Sequence, residues 1–223
     1  KEAVHKENKY IFNCLNTDKI YIFTDNGNLH QIKVFDIPFT RFRDKGTPID
    51  NLGNYDSSGE NIIYMCAAND IKNKKMLFVT RMGMVKLVDS AEFDASKRTV
   101  ASTKLQENDS VAYIYDTDAR VEVFSKFSIY GDVKEEEEIM SEQDVILRTE
   151  QGIFLRFPLS DIPQKKKAAI GVRGIKLGKD DYISDVYLLT NGDGMILEYK
   201  GKKLELSNLK LAHRDSKGTK IRV

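Results

Sequence analysis

Short apolar segments that stop at a glycine constrain this chain more than any other feature. Residues 19–24, 76–80 and 145–149 are rich in β-branched and aromatic side chains and run into the turns Asp25-Asn26-Gly27, Arg81-Met82-Gly83 and Glu150-Gln151-Gly152. Segments of this kind read as strands, and a closing glycine supplies the positive φ of a tight hairpin. A weaker fourth copy is Tyr199-Lys200-Gly201, and residues 183–189 form another strand-like run. The four glycines lie 56, 69 and 49 residues apart, the mark of an internal repeat. Outside the acidic piece at 133–143, no stretch of ten or more residues carries a convincing helical period. The fold is expected to be all-β.

The segments after the turns recur as well. Asp36-Ile37-Pro38 stands nine residues after Gly27, and Asp161-Ile162-Pro163 nine after Gly152. Each unit then has a basic loop of small residues closing on a leucine: 41–52, 97–105 and 165–177, with the leucine six residues after Gly46, Thr99 and Gly171. A last copy begins at Arg214 and includes Lys217, Gly218, Lys220 and Arg222. A unit of about 50 residues and four strands has the size of a propeller blade. The expectation is one repeat domain over residues 1–223, a propeller-like disc of about four to five four-stranded blades. Its units fall at roughly 10–68, 69–115, 143–190 and 191–223. The long second spacing is assigned to an insertion at about 116–142 containing Glu135, Glu136, Glu137 and Glu138, expected as a solvated loop or helix end.

With 223 residues, 41% of them hydrophobic, the chain can bury a core. No apolar run approaches the roughly 18 residues of a membrane span. Two cysteines, Cys14 and Cys66, are too few for a disulfide scaffold; they fit a reducing compartment and read as small core residues. Cytoplasm is the expected location. A first residue of Lys, without signal-peptide architecture, is expected of a piece of a longer protein. His5, His30 and His213 are dispersed, and no phosphate-binding glycine loop or nucleophile elbow occurs, so neither cofactor nor catalytic constellation is expected. Asp180-Asp181 has its counterpart in Asn108-Asp109, which favours a turn repeated by each unit over a metal pair.

Charge is unevenly spread. Residues 1–145 hold 19 Lys/Arg against 25 Asp/Glu, whereas residues 146–223 hold 16 against 9. The basic loops carry the excess. Lys165, Lys166, Lys167, Arg173, Lys176 and Lys179 fall within 15 residues, interleaved with Ala168, Ala169, Gly171 and Gly174. Their counterparts are Arg41, Arg43 and Lys45; Lys97, Arg98 and Lys104; and Arg214, Lys217 and Lys220. Small residues let backbone amides join the side chains in approaching phosphates. If the units are blades, the loops recur around one rim, suited to bending duplex DNA by its backbone rather than reading its bases.

Residues 163–181, with the preceding Arg148-Thr-Glu-Gln-Gly152 and Asp161-Ile162-Pro163, resemble the repeated motif of the C-terminal domain of bacterial type IIA topoisomerase A subunits, DNA gyrase and topoisomerase IV. Phe23-Thr-Asp-Asn-Gly27 and Asp36-Ile37-Pro38 fit as well, and the likeness covers nearly the whole chain outside 116–142. The resemblance implies a β-pinwheel whose blades swap strands and whose basic rim binds and wraps double-stranded DNA, largely independently of sequence. It implies no catalysis in this fragment, because breakage chemistry belongs to another part of the A subunit. The remaining partners it implies are the rest of the A subunit, and through it the ATPase B subunit, in a cytoplasmic, nucleoid-associated enzyme. Lys165, Lys166, Lys167, Arg173 and Lys176 lie on the motif and inherit the DNA-contact role most directly.

Two departures bear on the kind of topoisomerase. Gyrases resemble one another in a Gln-Arg-Arg-Gly-Gly-Lys-Gly box, and the nearest segment here, Ala212-His-Arg-Asp-Ser-Lys-Gly218, keeps Arg214, Lys217 and Gly218 only. About four recognisable units is also fewer than the six blades of the gyrase disc; both points favour the A chain of topoisomerase IV. A total charge of +1 implies weaker, more salt-sensitive wrapping. The alternative from another class is a propeller that binds proteins through its loops, supported by Phe39, Phe42 and Tyr55.

Overall fold

A computed structural model describes residues 9–41, 43–117, 121–127, 133–140, 143–190 and 194–221. His5, Phe42 and Arg222 lie outside the described residues. The strand-turn-strand expectation holds at the three strong copies: β1 (Lys19–Thr24) turns into β2 (Asn28–Lys33), β4 (Lys75–Thr80) into β5 (Met84–Asp89), and β10 (Gln143–Thr149) into β11 (Ile153–Pro158). Gly27, Gly83 and Gly152 have φ of 78°, 75° and 77°, the left-handed region that closes these hairpins. In each the glycine amide donates back to the threonine before the turn, at 2.9 to 3.1 Å.

Each hairpin gains a third strand from its own unit: β3 (Ile62–Ala67) pairs with β1, β7 (Val111–Thr117) with β4, and β13 (Ile183–Thr190) with β10. The fourth strand comes from the next unit. β6 (Thr99–Ala101) pairs with β2, β12 (Val172–Arg173) with β5, and β16 (Thr219–Lys220) with β11. Three four-stranded antiparallel sheets result among the described residues, with swapped strands linking them, and the architecture is a β-pinwheel. A further hairpin, β14 (Ile196–Tyr199) with β15 (Lys202–Glu205), follows the third sheet at the fourth, weaker glycine turn.

Successive side chains of the central strands enter the spaces on opposite sides of their sheet, so these strands are buried on both faces. One core joins Phe23 and Leu29 of the first sheet to Phe78 and Val88 of the second, around Phe93. A second joins Leu77, Val85 and Leu87 to Val145, Leu147 and Phe157 of the third. The edge strands β3, β7 and β13 neighbour one another across sheets. Tyr113 and Tyr115 of β7 donate hydroxyl hydrogens to the carbonyls of Ser184 and Val186, at 2.7 and 2.8 Å. These three strands therefore form the inner side, and the swapped strands β6, β12 and β16 occupy the opposite, outer edges.

Three expectations are corrected. The acidic insertion is neither loop nor helix end: β8 (Val121–Phe127) and β9 (Val133–Met140) make an antiparallel hairpin, because the β-prone residues of 121–127 give the acidic run a partner strand of similar length. Cys66 is buried in β3 as expected, but Cys14 is exposed, since residues 10–15 find no strand to pair with. Tyr55, expected as a loop aromatic open to a partner, is buried against Ile22 and Ile32, with its hydroxyl donating to the Glu60 carbonyl at 3.2 Å.

Candidate nucleic-acid interface

The basic loops sit on the outer edges because each contains a swapped strand. Equivalent backbone bonds fix their register: the Ser102 amide donates to the Gly27 carbonyl at 2.8 Å, and the Gly174 amide to the Gly83 carbonyl at 2.7 Å. Lys97, Arg98 and Lys104 thus flank the outer edge of the first sheet, Lys165 to Lys179 that of the second, and Arg214, Lys217 and Lys220 that of the third. Arg41, Arg43 and Lys45 are exposed but flank no swapped strand; the chain after them folds back through Ile49 and Leu52 onto Ile22 and Ile32 of its own sheet.

The small residues of the third-unit loop do a different job from the one expected. A Cβ on Gly171 would lie 2.7 Å from the Val85 carbonyl oxygen, and one on Gly174 would lie 2.7 Å from Val85 Cγ1. These glycines let β12 lie against β5; their open side faces protein, not an approaching phosphate.

Several cations are engaged within the protein. Arg173 forms a forked pair with Asp215, donating from Nη2 to Oδ2 at 2.9 Å and from Nε to Oδ1. The pair raises the Arg173 pKa and holds the Asp215 carboxyl below its ordinary value, in both cases chiefly through the hydrogen bonds. Arg214 donates to the carbonyls of Asp161 and Arg173 at 3.0 and 2.6 Å, so it staples two loops together. By contrast Lys97, Lys104, Lys176, Lys179, Lys217 and Lys220 are exposed, and their ammonium groups have no protein acceptor among the described residues.

Two groups to which the sequence assigned no role organise these loops. The first is the acid nine residues after each turn glycine. Glu92, at that distance from Gly83, accepts the Lys167 amide on Oε2 at 2.7 Å and lies 3.3 Å from Lys166 Nζ on Oε1. Asp161 likewise accepts the Arg214 amide at 3.1 Å, while Asp36 meets Arg98 at 3.9 Å. Burial works against the Glu92 charge, but the Lys167 amide and the two lysines outweigh it and hold the carboxyl below its ordinary value. The spacing of Asp36 and Asp161 was visible; that Glu92 completes the series was legible once Gly83 was counted from.

The second is Lys86, in the middle of β5 and 1% exposed. Its Nζ donates to the carbonyls of Lys166, Lys167 and Ala169 at 3.3, 2.9 and 2.8 Å, using all three ammonium hydrogens. It also lies 5.6 Å from the Phe78 ring centroid. Burial pushes its pKa down to about 8, which leaves it protonated at neutral pH. His30, at the equivalent position of the first sheet, is also buried and pairs its Nδ1 with Thr99 Oγ1 at 3.0 Å and its Nε2 with Glu60 at 2.5 Å. The Asp180-Asp181 turn behaves as expected: Asn108 and Asp180 have φ of 59° and 57°, and Asp109 and Asp181 each accept two backbone amides of adjoining turns.

Comparison with known proteins agrees with this geometry. The family model described as DNA gyrase C-terminal domain, beta-propeller, matches residues 18–57, 74–118, 143–190 and 200–222. The chain is 25% identical over 214 residues to the DNA gyrase A protein of Mycoplasma pneumoniae (strain ATCC 29342 / M129 / Subtype 1), covering 93% of this chain and 22% of that protein. It is 25% identical over 215 residues to the DNA gyrase A protein of Helicobacter pylori (strain ATCC 700392 / 26695), covering 94% and 23%. It thus spans about a fifth of the length of these relatives. Among solved structures, the C-terminal domain of DNA topoisomerase IV superposes with a TM-score of 0.75 at 26% identity, over 99% of this chain and 66% of that one. The E. coli ParC C-terminal domain has the same fold, with a TM-score of 0.70 at 20% identity over 96% and 80% of the two chains. The chain belongs to the DNA gyrase C-terminal beta-propeller family.

Proposed function

We propose that this member of the family binds duplex DNA along its outer rim, bends it, and presents a segment to the cleavage core of a type IIA topoisomerase A subunit. The observation that carries the reading is the placement of the swapped strands. Three successive sheets each bring a cationic loop to the outer edge, so the charges trace a curved path rather than a single patch. Such a path suits phosphate tracking and deformation of the duplex without base readout.

In this reading the domain needs no cofactor and performs no bond breakage itself. Its partners are double-stranded DNA, the rest of the A subunit, and through that the ATPase B subunit, in the cytoplasm at the nucleoid. Lys165, Lys166, Lys176, Lys179, Lys97, Lys104, Lys217 and Lys220 are the side chains most available to phosphates, with Arg41, Arg43 and Lys45 as a flanking group. Lys167, Arg98, Arg173 and Arg214 contribute charge while shaping the loops. The segment at 212–218 keeps only Arg214, Lys217 and Gly218 of the gyrase box, which supports topoisomerase IV over gyrase.

The test is binding to a duplex of about 40 base pairs across a salt series, for the wild type and a Lys165/Lys166/Lys167/Arg173 to Ala variant. A steep log–log salt slope, shallower in the variant, is expected; absence of binding at low salt rejects the proposal. That rejection would favour a protein-binding surface instead, for which Phe35 and Phe39, 82% and 100% exposed on the first unit, are the specific support.

A further inference from the structure

Arg173 stands on β12, at the outer edge of the second sheet, and its guanidinium is forked onto Asp215 of the next unit's loop. Another arginine–aspartate pair, Arg156 with Asp144, has different surroundings. Its side chains are 18% and 10% exposed, and Arg156 also donates to the carbonyls of Ser207 and Leu209. That pair is an internal tie of the third sheet. The Arg173 and Asp215 side chains are 56% and 34% exposed, so their fork lies open at the surface of the rim.

The main chain fixes where the Asp215 carboxylate stands. The Asp215 amide donates to the Gly174 carbonyl at 2.7 Å, and the Lys176 amide donates to the Ser216 carbonyl at 2.9 Å. Two neighbouring loops are thereby laced together, and Arg214 adds a bond to the Arg173 carbonyl. Asp215 has a φ of 65°, a region that Asp and Asn enter more readily than other side chains. Lys176 and Arg214 act on its carboxylate through space and, with Arg173, hold it below its ordinary value. One carboxylate thus stands among three cations where two rim loops meet. A guanidinium fork takes a carboxylate or a phosphate by the same two parallel N–H···O bonds.

We infer that the Arg173 fork, with Lys176 beside it, is a phosphodiester site that Asp215 closes in the free protein, and that a duplex phosphate binds there by displacing the carboxylate. The inference rests on the rim-binding reading and adds to it a named site with a built-in competitor. An exposed ion pair contributes little to stability, so the fold does not prevent the exchange. The displaced carboxylate stays close, because its main chain is tied to Gly174. It turns aside and remains beside the incoming phosphate, where like charges oppose each other. Binding where these two loops meet is therefore weaker than a count of cations suggests, and Asp215 sets by how much.

The test uses the whole 223-residue chain, labelled with nitrogen-15 and titrated with a duplex of about 20 base pairs at low salt. The side-chain Nε–H signal of Arg173 should move during the titration of the wild type, a readout that needs no variant. Asp215→Asn should tighten binding about two- to threefold, and Asp215→Gly, which keeps the left-handed turn, should do the same. In an Arg173→Ala background the Asp215→Asn gain should vanish, whereas simple removal of a negative charge from the rim would help in both backgrounds. Duplex binding that leaves the Arg173 signal unmoved overturns the phosphate site alone and leaves the rim reading intact. So does equal affinity of the wild type and both Asp215 variants, or a gain that persists without Arg173. No binding by the wild type at any salt overturns the rim reading, and the site falls with it.

Discussion

The loop on the second sheet and the loop on the first solve the same problem with different chemistry. Both cross the outer edge of a hairpin in the same register and are met from below by the third residue after the turn glycine. In the first sheet that residue is His30, which engages one side-chain hydroxyl, Thr99, while Gln31 donates to the Lys97 carbonyl at 3.1 Å. In the second it is Lys86, which takes three main-chain carbonyls. The second loop is also three residues longer between the acid and the swapped strand, counting Asp161 to Gly171 against Glu92 to Thr99. Those extra residues form a turn whose carbonyls need a donor, and a buried polar group without one costs about 1–3 kcal/mol. A longer cationic loop therefore calls for a cation underneath it, which is the opposite of what surface charge alone would suggest.

The largest effect that would sharpen this contrast concerns Gly171 and its counterpart Thr99. Gly171→Thr should destabilise the chain by about 2–4 kcal/mol, because its Cβ would meet the main chain of Val85. Thr99→Gly, which leaves His30 Nδ1 without its partner, should cost about 1–2 kcal/mol. Urea unfolding of both variants checks the order, and equal losses would break the comparison.

Next comes pH. Lys86 binds its proton less tightly folded, at about 8, than unfolded, at 10.5. The unfolded chain therefore holds more protons between those values, so this group makes stability rise with pH across that window. Duplex affinity should move the other way, falling as Lys86 loses the charge that orients the loop. Glu92, which favours the charged form, and Lys165, which opposes it, are the ionisable groups acting on Lys86. Unfolding midpoints and duplex titrations from pH 7 to pH 10 check both signs, and Lys86→Met should flatten both trends.

Asp215→Asn should free Arg173 from its forked partner and tighten duplex binding about two- to threefold at low salt, measured by the same titration. The smallest effect is Arg98→Ala: an exposed pair at 3.9 Å should contribute no more than about 0.5 kcal/mol, read from the melting temperature. A larger loss would mean that the acid-to-loop contact of the first sheet is as strong as that of Glu92.

Much of the scaffold was legible because its signals are local. Each turn glycine sits where φ is positive, and each apolar segment that runs into it is a strand. Even the loop alignment through Gly46, Thr99 and Gly171 was readable, and Thr99 and Gly171 occupy equivalent places beside β2 and β5. The cations were legible as a set but not in their division of labour. Arg173 and Lys176 look alike in sequence, yet one is forked to Asp215 and the other acts on that carboxylate only through space, because the carboxylate arrives from a loop 42 residues away. Glu135 to Glu138 misled because a run of like charges names a solvated segment without saying which backbone it adopts.

The sequence by itself determined where this chain turns, which segments between the turns are apolar strands, and that a cationic loop comes after each hairpin; these depend on torsional preference and residue type within a few residues. Only the tertiary structure decided which sheet each loop completes. A swapped strand pairs with the edge that stacking brings beside it, and no local pattern records that choice. The same stacking places Lys86 beneath the loop of the following unit. Its position in β5 marks it as inward-facing, but what it faces is set by residues 80 to 83 positions further along the chain.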